Sequence, residues 1–173
     1  EFPSYKGVEV EVHYRPSFLL CFWHDRKLQK YYERMKEEQF SHRVMLGEQG
    51  EIAIPTVEFN LIFQLTHIYA HLMNEGIGLR QLLDYYYVLI SDDLLLIRDR
   101  VQKELKKLGL WKFAGAIMYI MQEVFGMPAS RLIVPPNEKY GRFVLNEVLE
   151  AGNFGKHDAR NRFGRSKLGH NLQ

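Results

Sequence analysis

Hydrophobic and polar positions alternate through Gly7-Val8-Glu9-Val10-Glu11-Val12-His13-Tyr14. Successive side chains of a strand point to opposite faces, so Val8, Val10 and Val12 share one side and Glu9, Glu11 and His13 the other. The second face reads either as a solvated surface or as a metal-binding carboxylate face on a sheet. A strand needs partners, and the chain is therefore expected to be the back part of a larger protein. After Arg15-Pro16-Ser17 the period changes. Asp25 is expected to cap a surface helix running to about Gln39, with Leu28, Tyr31, Tyr32 and Met35 as its apolar stripe. Residues Phe40 to Leu46 and Glu51 to Ile54 flank Gly47-Glu48-Gln49-Gly50, which predicts a hairpin.

From Thr56 onward the pattern is helical. Pro55-Thr56 opens a helix whose first turn holds Glu58, and it runs to about Asn74, ending near Gly76. Further helices are predicted from Leu79 to Ile90, from Asp92 or Asp93 to Leu108 with Ser91 as cap, and from Leu110 to Phe125. Pro128 and Pro135-Pro136 mark a loop before a last helix from Asn137 to Glu150. The expected fold class is α+β, mostly α: an N-terminal strand remnant of a small mixed sheet and a hairpin, followed by a five-helix bundle-like region. Three parts are expected: residues 1–54, a helical domain over 55–151, and a basic Gly-containing tail over 152–173.

The helix from Thr56 is apolar nearly all round, as buried helices are. Its polar residues Asn60, Gln64, His67, His71 and Asn74 follow one another at steps of four, three, four and three, and so form one line on one face. The next helix carries a shorter line, Arg80, Asp84, Tyr87 and Ser91, in which Arg80 and Asp84 can pair. Because only Asn74-Glu75-Gly76-Ile77-Gly78 joins the two helices, the lines are expected to approach each other, with His67 or His71 near Asp84 or Arg80. His67 and His71 lie four apart and could share a metal ion, but Ile68 stands where a zinc protease would have glutamate. A buried hydrogen-bond network and a substrate-facing polar wall are the other readings of the pair.

With 173 residues, 46% of them hydrophobic, the chain can bury the core of one domain or of a domain plus a remnant. A net charge of +2 argues against a nucleic-acid partner. The one cysteine, Cys21, excludes an intrachain disulfide and a cysteine-based zinc cluster and suits a reducing, cytoplasmic setting. No apolar run reaches the roughly 18 residues that would suggest a membrane span. Lys156, Arg160, Arg162, Arg165 and Lys167 make the tail locally basic, which reads as a solvated terminus or as a phosphate-facing strip.

Taken in order, Val10-Glu11-Val12-His13-Tyr14, the Phe59 to His71 stretch with its His-Ile-Tyr-x-His, Gly76-Ile77-Gly78-Leu79-Arg80-Gln81-Leu82-Leu83-Asp84, and Gly152-Asn153-Phe154-Gly155 resemble the uncharacterised bacterial nucleotidyltransferase family of the polymerase-beta superfamily. The resemblance covers that family's middle and C-terminal parts. It implies transfer of a nucleoside monophosphate from an NTP to an acceptor hydroxyl with two Mg2+ ions, which lower the pKa of the hydroxyl for in-line attack. It also implies that Glu11 is the third metal-binding carboxylate, with Glu9 as the reserve candidate, and that the helical region builds the acceptor side, for which the polar lines themselves offer His67, His71, Arg80, Gln81 and Asp84 as candidate liners. The Gly-Ser turn and Asp-x-Asp pair of such enzymes do not occur in this sequence, so the chain as it stands is expected not to catalyse.

The expected partners are therefore an NTP and an acceptor that is a small molecule or a protein. A rival reading makes the chain a non-catalytic interaction module that uses an exposed strand edge or the basic tail, with a homodimer as one consequence.

Overall fold

The computed structural model describes Gly7, residues 15–74 and residues 76–151. The alternating strand with Glu9 and Glu11, and the basic tail from 152, lie outside the described residues. Gly7, predicted to open that strand, stands in a turn at a φ of +80°, a left-handed backbone that no strand uses.

Six α-helices and one antiparallel two-stranded sheet make up the described residues: α1 (Phe22–Ser41), β1 (Arg43–Met45), β2 (Glu51–Ala53), α2 (Val57–Asn74), α3 (Leu79–Leu89), α4 (Leu94–Lys107), α5 (Trp111–Glu123) and α6 (Glu138–Ala151). The fold is thus α+β and mostly α, as the periodicities predict. No described helix is long and apolar enough to cross a membrane.

The stripe Leu28, Tyr31, Tyr32 and Met35 is buried, but α1 begins earlier than its acidic residue suggests. Cys21 is its N-cap, and Asp25, one turn in, accepts hydrogen bonds from the Leu19 amide and from Gln29, both at 3.0 Å. Asp25 therefore ties the preceding loop to the helix and does not cap it. The hairpin pairs Val44 with Ile52 around a short 3-10 turn over Gly47–Gln49. Its base is clamped by His42, whose carbonyl accepts the Ile54 amide and whose Nδ1 donates to the Ile54 carbonyl, each at 2.9 Å. Gln39 then accepts the Thr56 amide at 2.7 Å, and the Thr56 hydroxyl accepts the Phe59 amide at 3.3 Å as the cap of α2.

Ser91 is not the cap of α4, contrary to the spacing. Asp93 holds that position without a side-chain bond. The Ser91 carbonyl instead receives the Arg131 guanidinium at 2.8 Å, while Gln102 donates to the Ile133 carbonyl at 2.7 Å and Arg98 donates to that of Ser130. These side chains stitch the segment after α5 onto α4 and fix the α3–α4 junction. Asn137 caps α6 by accepting the Tyr140 amide at 3.2 Å.

One continuous core runs through all six helices, from Leu28 and Tyr31 on α1 through Leu65 on α2 and Leu82 on α3 to Val101, Ile117 and Val148. The tightest crossing is between α5 and α6, where a side chain at Gly141 would meet the Tyr119 ring and one at Gly115 would meet Asn137.

Candidate functional site

The two polar lines do meet. Asn60, Gln64 and His67 on α2 and Asp84 and Tyr87 on α3, with Ser91 just beyond it, wall an open groove of about 650 Å³. Val57, Ile68 and Val88 supply its apolar surface, and Ile54 and Pro55 reach its edge from the base of the hairpin. The local cause is simple. The opposite side of α2 is committed to the core by Leu61, Ile62, Leu65, Leu72 and Met73, so its amide and imidazole line is left facing outward. Leu82, Tyr85 and Leu89 do the same for α3.

Within the wall, Gln64 donates to Asn60 at 3.3 Å, whereas Gln64 Oε1 is buried and has no hydrogen-bond partner among the described residues. The His67 and His71 rings stand edge to face with centroids 4.3 Å apart, and Phe63 packs on the other side of His67 at 5.6 Å. Gln81 accepts the Gly78 amide at 3.1 Å, so the side chain that reaches the groove also caps the helix presenting it.

Of the five helical residues the sequence singles out, His67, Gln81 and Asp84 are on the described walls of the groove, and His71 and Arg80 are not. Arg80 precedes Gln81 by one position, about 100° around the helix, and is exposed. No ion pair joins it to Asp84 among the described residues, although their spacing permits one. His71 lies a turn further along α2, half-buried against His67. Sequence reasoning missed the hairpin base, Ile54 and Pro55, because only the His42 clamp brings it to this place.

Among the described residues no three histidine, cysteine or carboxylate side chains converge on a point where they could hold a metal. The described helices therefore form no two-metal centre. The carboxylates that the resemblance offers for one, Glu11 and Glu9, lie outside the described residues.

This arrangement belongs to a chain with a known kinship. The chain is a member of the uncharacterised nucleotidyltransferase family, whose model matches residues 2–126. That stretch takes in everything from the alternating segment through α5 and includes the whole groove. No curated protein and no solved structure matches the chain.

Proposed function

We propose that the chain serves nucleotidyl transfer, in which the nucleoside monophosphate of an NTP passes to an acceptor hydroxyl, and that the groove between α2 and α3 receives the acceptor. The observation that carries this reading is the meeting of two polar lines from separate helices across one open groove in a member of a nucleotidyltransferase family. The groove offers amide, imidazole, phenol, hydroxyl and carboxylate groups, which suit a hydroxyl-bearing molecule.

His67, Gln81 and Asp84 bind and orient in this proposal. His71 stands behind His67 and fixes its ring, while Arg80 plays no part at the described walls. Mg2+ chemistry would need Glu11, or Glu9, together with an Asp-x-Asp pair that this sequence does not contain, so the chain by itself receives the acceptor but neither holds the metal-bound NTP nor catalyses.

The test uses the whole product of the gene that encodes this chain, together with this chain alone. With Mg2+ and each NTP labelled at the α-phosphate, the whole product binds nucleotide in a divalent-dependent way and labels an acceptor fraction, and this chain does not. If the whole product shows no divalent-dependent nucleotide binding, the reading is wrong.

A further inference from the structure

On the side of α2 away from the groove lies a second, more enclosed space. It is a cavity of about 280 Å³ between the start of α1, the end of α2, the α4–α5 turn, α5 and α6. Its floor is apolar and buried, with Leu72, Met73, Leu108, Ala116 and Val144 at between 1% and 6% exposure. Its mouth is different. Cys21, Gly109 and Lys112 there are exposed, and His24 and Tyr140 are half-buried.

The mouth is basic. The Lys112 ammonium lies 5.9 Å from the centroid of the Tyr140 ring and makes no ion pair among the described residues. His24 makes no hydrogen bond among them either. Its imidazole lies against Gly109, where an added Cβ would come within 2.4 Å of the ring. Gly109 also holds a φ of +71°, so both the turn and the seat of the imidazole depend on glycine. Lys106 and Lys107 stand just before the same turn, but Lys106 lies 4.5 Å from the centroid of the Trp111 ring and Lys107 pairs with Glu104 at 3.6 Å, so the charge at the mouth is that of Lys112.

Size narrows the ligand. An apolar cavity of roughly 150 Å³ holds benzene, so one of about 280 Å³ has room for a single ring with a short side chain. Aromatic walls from Tyr69 and Phe113, with Phe143 opposite, suit a ring, and a cationic mouth suits an acid.

We infer that this cavity is a binding site for a small carboxylic acid with an apolar, ring-sized body, seated with its ring on Leu72, Met73 and Ala116 and its carboxylate at Lys112 and His24. The site is separate from the acceptor groove. Tyr140, Phe143 and Val144 of its wall come from α6, beyond the stretch matched to the family.

The probe is 3-phenylpropionate, with 3-phenylpropanol as its uncharged counterpart. Binding is read from the methyl resonance of Met73 in the chain labelled with 13C-methyl methionine and assigned with Met73→Leu. The acid shifts this resonance saturably. Lys112→Met weakens the acid by about fivefold, as expected for one exposed charge contact, and leaves the alcohol unchanged. Ala116→Leu fills the floor and abolishes both shifts, while the remaining methionine resonances keep their folded positions. The proposal is overturned if the Met73 resonance ignores the acid at millimolar concentration, or if Lys112→Met weakens acid and alcohol alike. Neither result bears on nucleotide transfer, which is measured separately.

Discussion

The hydroxyls of Tyr32 and Thr66 meet at 2.8 Å in the interior between α1 and α2. Thr66 already donates its one hydroxyl proton to the Phe63 carbonyl at 2.8 Å, so Tyr32 must be the donor of the pair. This bond fixes α1 on the back of the helix whose front lines the groove. It also makes the two partners unequal.

Removing the donor leaves Thr66 still bonded to Phe63, whereas removing Thr66 strands a buried phenol. Tyr32→Phe is therefore expected to cost about 1 kcal/mol and Thr66→Val about 2 kcal/mol in urea denaturation. Ser17 Oγ is buried, has no hydrogen-bond partner among the described residues and lies near enough to bear on the ionisation of Tyr32. Adding Ser17→Ala to Thr66→Val removes that fallback acceptor and deepens the loss. Equal losses for the two single changes would reject the donor assignment.

Tyr85 has 0% exposure, and its hydroxyl has no partner among the described residues. A buried hydroxyl without a bond is a liability, so Tyr85→Phe is expected to raise stability by about 1 kcal/mol at neutral pH. Thermal denaturation of the two proteins side by side decides it. A fall in melting temperature would mean that the hydroxyl has a partner in solution.

Burial also pushes the phenols of Tyr31, Tyr32 and Tyr85 above their ordinary value of 10.0. Above that pH the unfolded chain releases protons that the folded chain retains. The stability linked to these three groups is therefore complete below pH 10.0 and declines as pH rises beyond it. Each contributes a slope of about 1.4 kcal/mol per pH unit. Denaturant titrations across the alkaline range should show this decline, and Tyr85→Phe should make it shallower by one such contribution. A profile flat above pH 10.0 would contradict the burial of these rings.

Gly141 lies so close to the Tyr119 ring that a Cβ would stand 2.3 Å from Cδ1. Alanine favours a helix over glycine by about 1 kcal/mol, but overpacking costs about 1–3 kcal/mol. Gly141→Ala is thus expected to lose stability despite its better propensity, and Tyr119→Leu in the same chain should not restore it, because leucine keeps the Cβ and Cγ that would each stand 2.5 Å from the added methyl. Gly126, at a φ of +65° with nothing within 4 Å, is the control. Its alanine variant suffers only backbone strain of roughly 1 kcal/mol, which no change at Tyr119 relieves.

The groove separates two neighbours on α3. Asp84 is on its wall, and Arg80, one turn earlier, is not. In the whole gene product Asp84→Asn should raise the acceptor KM about tenfold, the loss expected for one charge-assisted contact, while leaving the NTP KM unchanged. Arg80→Ala should change neither. Both positions are exposed, so melting temperatures should stay close to that of the parent. An equal effect from the two variants would remove the groove from the acceptor side.

Several of these features were legible in the chain before folding, and the limits of that legibility are physical. The buried stripe of α1 and the outward line Asn60, Gln64 and His67 follow from a period of 3.6 residues, which is local to each helix. End positions were less secure: Asp25 and Ser91 looked like caps because short polar residues favour such places, but tertiary partners claimed them. Leu19 and Gln29 took the Asp25 carboxylate, and Arg131 took the Ser91 carbonyl.

By itself, then, the sequence determined the mostly helical class, the hairpin around Gly47 and Gly50, the family to which residues 2–126 belong, and the two polar lines. Only the tertiary structure decided that the lines face each other with His67 and Asp84 inside and Arg80 outside, that the hairpin base closes one edge, and that α1, α2, α5 and α6 enclose a cavity with Lys112 at its mouth. The reason lies in range. Periodicity is set by neighbours a few residues away, whereas a groove or cavity is set by the crossing of helices. That crossing depends on contacts such as Tyr32 with Thr66 and Tyr119 with Gly141, between residues far apart in the chain.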